Sequence, residues 1–281
     1  MAQDGAESQS FSHQFDDVVA VGPEDGNSAF FGLDVLRGLV EGIEDFASLR
    51  QPRWRRYRSM GPALIGSAMW IDDPEIINAL AKLSGASIVV TKQRRTPHQL
   101  EKLEQLHGLN ERTPGLPIRA FAALSGLAPK VDGKPAIVGP YAPMDEGTVP
   151  TIRTLGFRKQ GNWLVPIMHA KLALLGHLWW HDEGPLGHID DVIGFTPQRL
   201  WVSSANFTRS SRRNLEVGHW TEDAALVKHA EQFLLKAMAA SESLDPEADS
   251  FEPDLATVEF DDAAMAEAFA DMRWDEPDNE V

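Results

Sequence analysis

The chain has 281 residues, 43% of them hydrophobic, no cysteine and a formal net charge of −16. That length buries one large core or two small ones; no apolar run reaches transmembrane length, which argues against stable membrane insertion; the lack of cysteine excludes disulfides and thiolate metal sites and fits a cytoplasmic protein. The charge is uneven, about −8 over residues 1–50, +6 over 51–240 and −14 over 241–281, so the acidic total does not exclude a polyanionic substrate for the basic middle segment.

In chain order, residues 1–28 read as a polar, acidic leader without a signal-peptide pattern. Phe30 to Phe46 repeats apolar residues at helical spacing, with Phe31, Val35, Leu36, Leu39 and Ile43 on one side. Gln51 to Ser59 is rich in arginine, with Arg53, Arg55, Arg56 and Arg58 around Trp54 and Tyr57. That mixture suits a single-stranded nucleic acid through charge and stacking, and equally a solvated face or a dimer contact. Ala63 to Trp70 reads as a strand. Asp72-Asp73-Pro74-Glu75 reads as a helix start, acidic cap and first-turn proline together, with the helix running through Leu83 to end near Gly85. Ala86 to Thr91 is a buried β-branched strand. Thr96 to Gln99 has a capping-box pattern and opens a second helix, to about Gly108. This alternation predicts a parallel α/β sheet.

Residues 110–162 are rich in Pro and Gly, with short strands expected at Pro117 to Phe121 and Ala136 to Val138. Pro166 to Leu175 and Leu200 to Thr208 then read as strands alternating polar and apolar residues. Side chains two apart in a strand share a face, so His169 projects with Lys171, and Ser204 with Asn206. If the strands are neighbours, one face collects an imidazole, an ammonium, a hydroxyl and an amide, a set suited to attack on phosphorus. Between them, Gly176 to Gln198 reads as an insert, with Trp179, Trp180 and three histidines. Leu215 to Trp220 is another core strand, Glu222 to Ala240 an amphipathic helix, and Asp262 to Met272 a short helix in an acidic tail otherwise expected to be disordered. That tail, adjoining a basic core, could fold back and compete with a polyanion.

The ordered series His169-Ala-Lys171, Ser203-Ser204-Ala-Asn206 and Asn214-Leu-Glu216 resembles the signature of the phospholipase D superfamily. Gly176 stands where that family has Asp, and Ser203 where it usually has Gly. The resemblance implies an α/β fold with a mixed sheet flanked by helices and one motif copy per chain. It divides the chain into an acidic leader and helix at 1–50, a phospholipase D-like catalytic domain at 51–240 and an acidic tail at 241–281. It also implies a metal-independent phosphodiesterase without cofactor, in which His169 forms a phosphohistidine. Lys171 and Asn206, assisted by Ser204, hold the phosphate oxygens, and Glu216 orients a histidine. One motif copy with chemistry that needs two histidines implies a two-fold homodimer.

Arg209, Arg212 and Arg213 follow Asn206 directly, and Lys92 and Arg94 follow a core strand; these are the candidate contacts to a polyanion. A rival reading places a metal on His177 and His181 with Asp182, Glu183 and His188, because His177 and His181 would share a helical face. The favoured expectation is a nuclease with nucleic acid as substrate. The alternatives are a phospholipase or phosphatidyltransferase, whose tryptophans would dip into lipid, and a catalytically weak member that binds nucleic acid or protein partners.

Overall fold

The computed structural model describes residues 19–24, 27–49, 57–92, 97–140, 147–157, 166–183, 190–245 and 250–271. Nine strands form one sheet: β1 (Val19–Glu24), β2 (Asn27–Gly32), β3 (Arg58–Ser67), β4 (Gly85–Lys92), β5 (Ile152–Phe157), β6 (Leu172–Glu183), β7 (Asp190–Ser203), β8 (Glu216–Thr221) and β9 (Glu242–Ser243). Their spatial order is β1-β2-β8-β7-β6-β3-β4-β5-β9. Strands β3, β4 and β5 run parallel, as the strand–helix alternation predicts, while the remaining pairs are antiparallel. The sheet is therefore mixed. Every residue of β4 is buried, which its β-branched run Ile88-Val89-Val90 suits, since a strand covered on both faces needs no polar alternation.

Helices cover both faces. On one side lie α1 (Leu36–Ser48), α2 (Pro74–Leu80) and α3 (Pro97–Arg112), whose Leu36, Leu39, Ile43, Ile76, Leu80 and Leu106 pack with Ile88, Leu175, Trp201 and Trp220. On the other, α4 (Ala224–Ala239) packs Val227, Leu234 and Met238 against Ile65, Val89, Leu174 and Leu200. Helix α1 lies close because Gly38 and Gly42 face aromatic rings: a Cβ would come within 2.7 Å of Phe30 and 2.5 Å of Trp220. The Trp220 indole N–H donates to the Gly38 carbonyl at 2.9 Å.

Several local expectations shift. Phe30 and Phe31 belong to β2 rather than to a helix, because Gly32 and Asp34 adopt positive φ of 109° and 51° and turn the chain before α1 begins. Helix α2 stops at Leu80, and Gly85 opens β4 instead of ending the helix. Thr96 lies outside the described residues. Of the expected 117–121 strand only Pro117 pairs, together with Leu116 before it, against Thr148 and Val149, and short 3-10 turns take over at 118–120 and 122–124; Pro117 has no N–H to continue a ladder.

Among its described residues, the acidic C-terminal segment is largely docked onto the fold. β9 pairs with β5, Leu255–Thr257 with Leu127–Pro129, and Glu259–Phe260 with Ile137–Val138. A helix α5 (Asp262–Asp271) follows, as expected. Two buried cations hold the segment. Arg153, 1% exposed, donates to the Ser241 hydroxyl (2.6 Å), the Ser241 carbonyl (2.9 Å) and the Asp254 carboxylate. Lys92, 4% exposed, bonds the Glu242 carboxylate and the Ser250 carbonyl. Residues on both sides of positions 50 and 240 thus share one sheet.

Candidate active site

Strands β6 and β7 are antiparallel neighbours, with Leu172 opposite Val202. One residue beyond, the Ser203 amide donates to the Lys171 carbonyl at 3.1 Å. The two half-motifs therefore meet at one end of the sheet, where β3 and β4 also finish and β8 begins. His169 and Lys171 stand in irregular chain just before β6, and Ser204 and Asn206 in the segment just after β7, rather than inside the strands. The 166–171 segment is pinned from β4 and β5: the Thr91 hydroxyl donates to the Met168 carbonyl at 2.7 Å. Gly156, at φ +68°, lets the Pro166 carbonyl approach where a Cβ would lie 1.9 Å away.

The two side chains of the first half-motif touch. Lys171 Nζ donates to the exposed His169 ring, 3.1 Å from Nδ1. Lys171 is 7% exposed, and burial holds its ammonium below the ordinary lysine range, opposed by the nearby Glu216 carboxylate. Glu216, at the start of β8, accepts the Ser204 hydroxyl, and that same Ser204 oxygen accepts the Val217 amide at 3.1 Å. The Ser204 amide donates to the Val217 carbonyl at 3.0 Å. Asn206 follows two residues later with its side-chain oxygen buried and unpartnered among the described residues. A buried amide oxygen without a partner is costly, and only a hydrogen-bond donor satisfies it. The fold thus links His169 to Lys171 and Ser204 to Glu216.

The two departures from the resembled pattern have structural reasons. At Gly176 a Cβ would meet the Thr196 carbonyl at 2.4 Å and the Phe195 ring at 2.5 Å, so an aspartate does not fit there. Ser203 accepts the Ala205 amide (2.9 Å) and donates to the Val217 carbonyl (2.8 Å), closing the turn that carries Ser204 and Asn206.

The expected phosphate contacts divide. Arg209 and Arg213 are exposed on the turn after Asn206. Arg212 is committed to the fold instead: its Nε and Nη2 reach Asp73 at 2.5 and 3.0 Å, its Nη1 reaches Asp34 at 2.6 Å, and Glu75 lies 3.1 Å away. From sequence, Asp73 is legible only as the cap of α2; its clamp on a turn 139 residues later is not. Lys92 is likewise withdrawn into its pair with Glu242, and does not line a site mouth. Arg94 lies outside the described residues, as do Arg53, Arg55 and Arg56.

The described parts of the expected insert are strand rather than loop. Gly176 to Glu183 and Asp190 to Pro197 extend β6 and β7 into one long hairpin. His177 and His181 therefore sit four strand residues apart, roughly 13 Å, too far to share an ion as a helical pair would. His177 packs on Phe46 (4.8 Å between ring centroids), and burial pushes its pKa down against a bond to Gln198. His181 packs on Tyr57 at 5.0 Å. His188 and the side chains of Asp182 and Glu183 are outside the described residues. Among the described residues no three His, Asp or Glu side chains converge as metal ligands. Trp179 contacts Tyr57, and Trp180 lies under Arg58. Eight strand residues, roughly 26 Å, separate Trp179 from Lys171. No helix among the described residues is long and apolar enough to cross a membrane.

No protein-family model and no curated protein sequence matches the chain. Eight chains of known structure match. NucT from Helicobacter pylori is 15% identical with a TM-score of 0.41, over 78% of this chain and 99% of that one. Polyphosphate kinase from Porphyromonas gingivalis is 14% identical with a TM-score of 0.38, over 76% of this chain and 25% of the kinase. Both are coarse likenesses.

Proposed function

We propose that the chain is a phosphodiesterase that needs no metal, acting on nucleic acid through a phosphohistidine. The observation that carries this reading is the junction of the half-motifs: an exposed imidazole in contact with a desolvated ammonium, beside the turn that carries Ser204 and Asn206. An imidazole nitrogen of His169 attacks phosphorus, and the N–P bond forms as the bond to the leaving oxygen breaks. A second imidazole gives that oxygen its proton. Water then attacks phosphorus, the N–P bond breaks, and the second imidazole takes the proton back. Lys171 and the amide NH2 of Asn206 donate to the non-bridging oxygens as charge develops on them. Glu216 acts through Ser204, its hydrogen-bond partner, and through its field on Lys171.

The second imidazole is the reason to propose a two-fold homodimer. Among the described histidines, His177 and His181 lie along β6 away from the site, His107 lies on α3, His229 bonds its own helix at the Ala225 carbonyl, and His219 stands on β8 opposite Val202, as the one histidine of the same copy beside the motif turn among the described residues. A second copy would supply another His169. Exposed Leu215, Val217 and Val202, 56%, 42% and 40% accessible, lie beside the motif and give a copy something apolar to cover. The lipid reading loses its motive, because the tryptophans lie at the far end of the hairpin.

The test is turnover of DNA, RNA and phosphatidylcholine by the purified protein, each with and without EDTA. Nucleic-acid cleavage that survives EDTA, and that falls by about a thousandfold or more in His169→Ala, is the expected result. EDTA-sensitive cleavage that survives His169→Ala sinks the mechanism, and head-group release without nucleotide release sinks the substrate class. Mixing His169→Ala with wild type should form heterodimers that have lost most activity, whereas a fully active monomer rules the shared site out.

A further inference from the structure

Beside the motif turn lies an open cleft of about 370 Å³, with Arg209 and Arg213 on one wall, Glu101, Lys102 and Gln105 of α3 on the other, and Asp72 between them. Asp72 ties the walls together. Its Oδ1 accepts the Arg209 backbone amide at 3.0 Å, and its Oδ2 accepts Lys102 Nζ at 3.3 Å. The turn itself is fixed from behind by Arg212, whose guanidinium is filled by Asp73, Asp34 and Glu75. Arg209 and Arg213 have no carboxylate partner among the described residues. Of the three arginines on this turn, one therefore builds the wall and two are left for something else. Three cations line the cleft against two acids, one of which already faces Lys102.

The position matters as much as the charge. Arg209 follows Asn206 by three residues, so their Cα atoms are at most about 11 Å apart. Resting on the reading of Lys171 and Asn206 as the phosphate-holding pair, we infer that this cleft is a second phosphate subsite, which takes a neighbouring phosphate of the same nucleic-acid strand. Arg209, Arg213 and Lys102 bind the phosphate, and Gln105 offers an amide to the sugar or base beside it. Glu101 opposes binding and limits how tightly the strand is held. A phosphodiester with one phosphorus has nothing to place there, so the cleft selects a polymer over a lipid head group or a small diester.

Binding of a short fluorescein-labelled single-stranded oligonucleotide, followed by anisotropy across a salt series, tests this. In the Arg209→Ala/Arg213→Ala double variant affinity at low salt should fall about tenfold or more, with the slope of log affinity against log salt reduced by roughly 0.7 for each cation–phosphate pair removed. Lys102→Gln should act in the same direction, and Glu101→Gln should tighten binding. With turnover, the ratio of kcat/KM on the oligonucleotide to that on bis(p-nitrophenyl) phosphate should drop in the double variant. A folded double variant with unchanged affinity and slope overturns the subsite, as does Glu101→Gln weakening the complex, or a wild type that binds no oligonucleotide. Binding that responds as expected in a protein that hydrolyses no diester would overturn the hydrolytic reading and leave the subsite standing.

Discussion

Arg212 and Asp73 form a two-point clamp across the molecule, Nε on one carboxylate oxygen at 2.5 Å and Nη2 on the other at 3.0 Å. Asp73 is 1% exposed and at the same time caps α2, accepting the Glu75 and Ile76 amides at 3.0 and 3.1 Å. Burial pushes its carboxyl up, but the Arg212 bond and the two amides outweigh that and hold it below the ordinary carboxylate range. Arg212 is raised in turn. The start of α2 and the turn after Asn206 are thereby one rigid unit.

Removing the clamp should cost both stability and catalysis. Asp73→Ala loses a helix cap, about 1 kcal/mol, and the charge-assisted bonds to Arg212, which keeps only Asp34 and Glu75, for roughly 3 kcal/mol in all. Arg212→Lys should not restore the loss, because a point charge cannot make the fork. Urea unfolding measures the first effect and oligonucleotide turnover the second. A change within about 0.5 kcal/mol, typical of neutral surface substitutions, would show that the clamp is incidental. Asp73 stays below its unfolded value, so its contribution is present above the ordinary carboxylate pKa and should be lost as pH falls through the folded one.

Lys171 should set an alkaline limit on activity. Burial lowers its pKa from 10.5, and the phosphate-holding form is the protonated one, so kcat/KM should fall on the basic side at a pH below 10.5. Lys171→Arg should move that limb upward while lowering the maximum rate, since a guanidinium keeps its charge but not the geometry. A limb that stays in place in Lys171→Arg belongs to another group.

Glu242 should matter more for the fold than for substrate competition. Glu242→Ala leaves Lys92 charged and buried, which costs about 3–5 kcal/mol, while Lys92→Met/Glu242→Leu should lie much closer to wild type. Deleting residues 244–281 removes Asp254 from Arg153 and should destabilise the protein rather than release a masked site. Denaturation midpoints of the three variants decide it, and a stable truncation with tighter nucleic-acid binding would instead restore the autoinhibitory tail.

Gly176→Asp makes the chain more like the pattern it resembles and should harm it. The added Cβ meets the Thr196 carbonyl at 2.4 Å, so the hairpin must shift. A melting temperature several degrees lower, with no gain in turnover, is expected; a more active, equally stable variant would show that the position is open.

Much of the site is legible in the sequence because its signals are local. The two-residue spacings of His169 with Lys171 and of Ser204 with Asn206 are read directly from the chain, although both pairs lie just outside the strands. The cap at Asp73 and the β-branched run of β4 are local too. The partners of charged side chains are set by tertiary structure, and they come from far along the chain: Asp73 meets Arg212 139 residues away, and Lys92 meets Glu242 150 residues away. From sequence, Lys92, Arg209, Arg212 and Arg213 are four equivalent cations, and only burial and partner identity separate the two that build the fold from the two left facing a cleft. The hairpin is hidden for a related reason. The register shifts beside Leu175 and Leu178 place the extra residues, Gln198 and Met60, on β7 and β3, and pairing with those two strands, rather than local propensity, holds Gly176–Glu183 as strand.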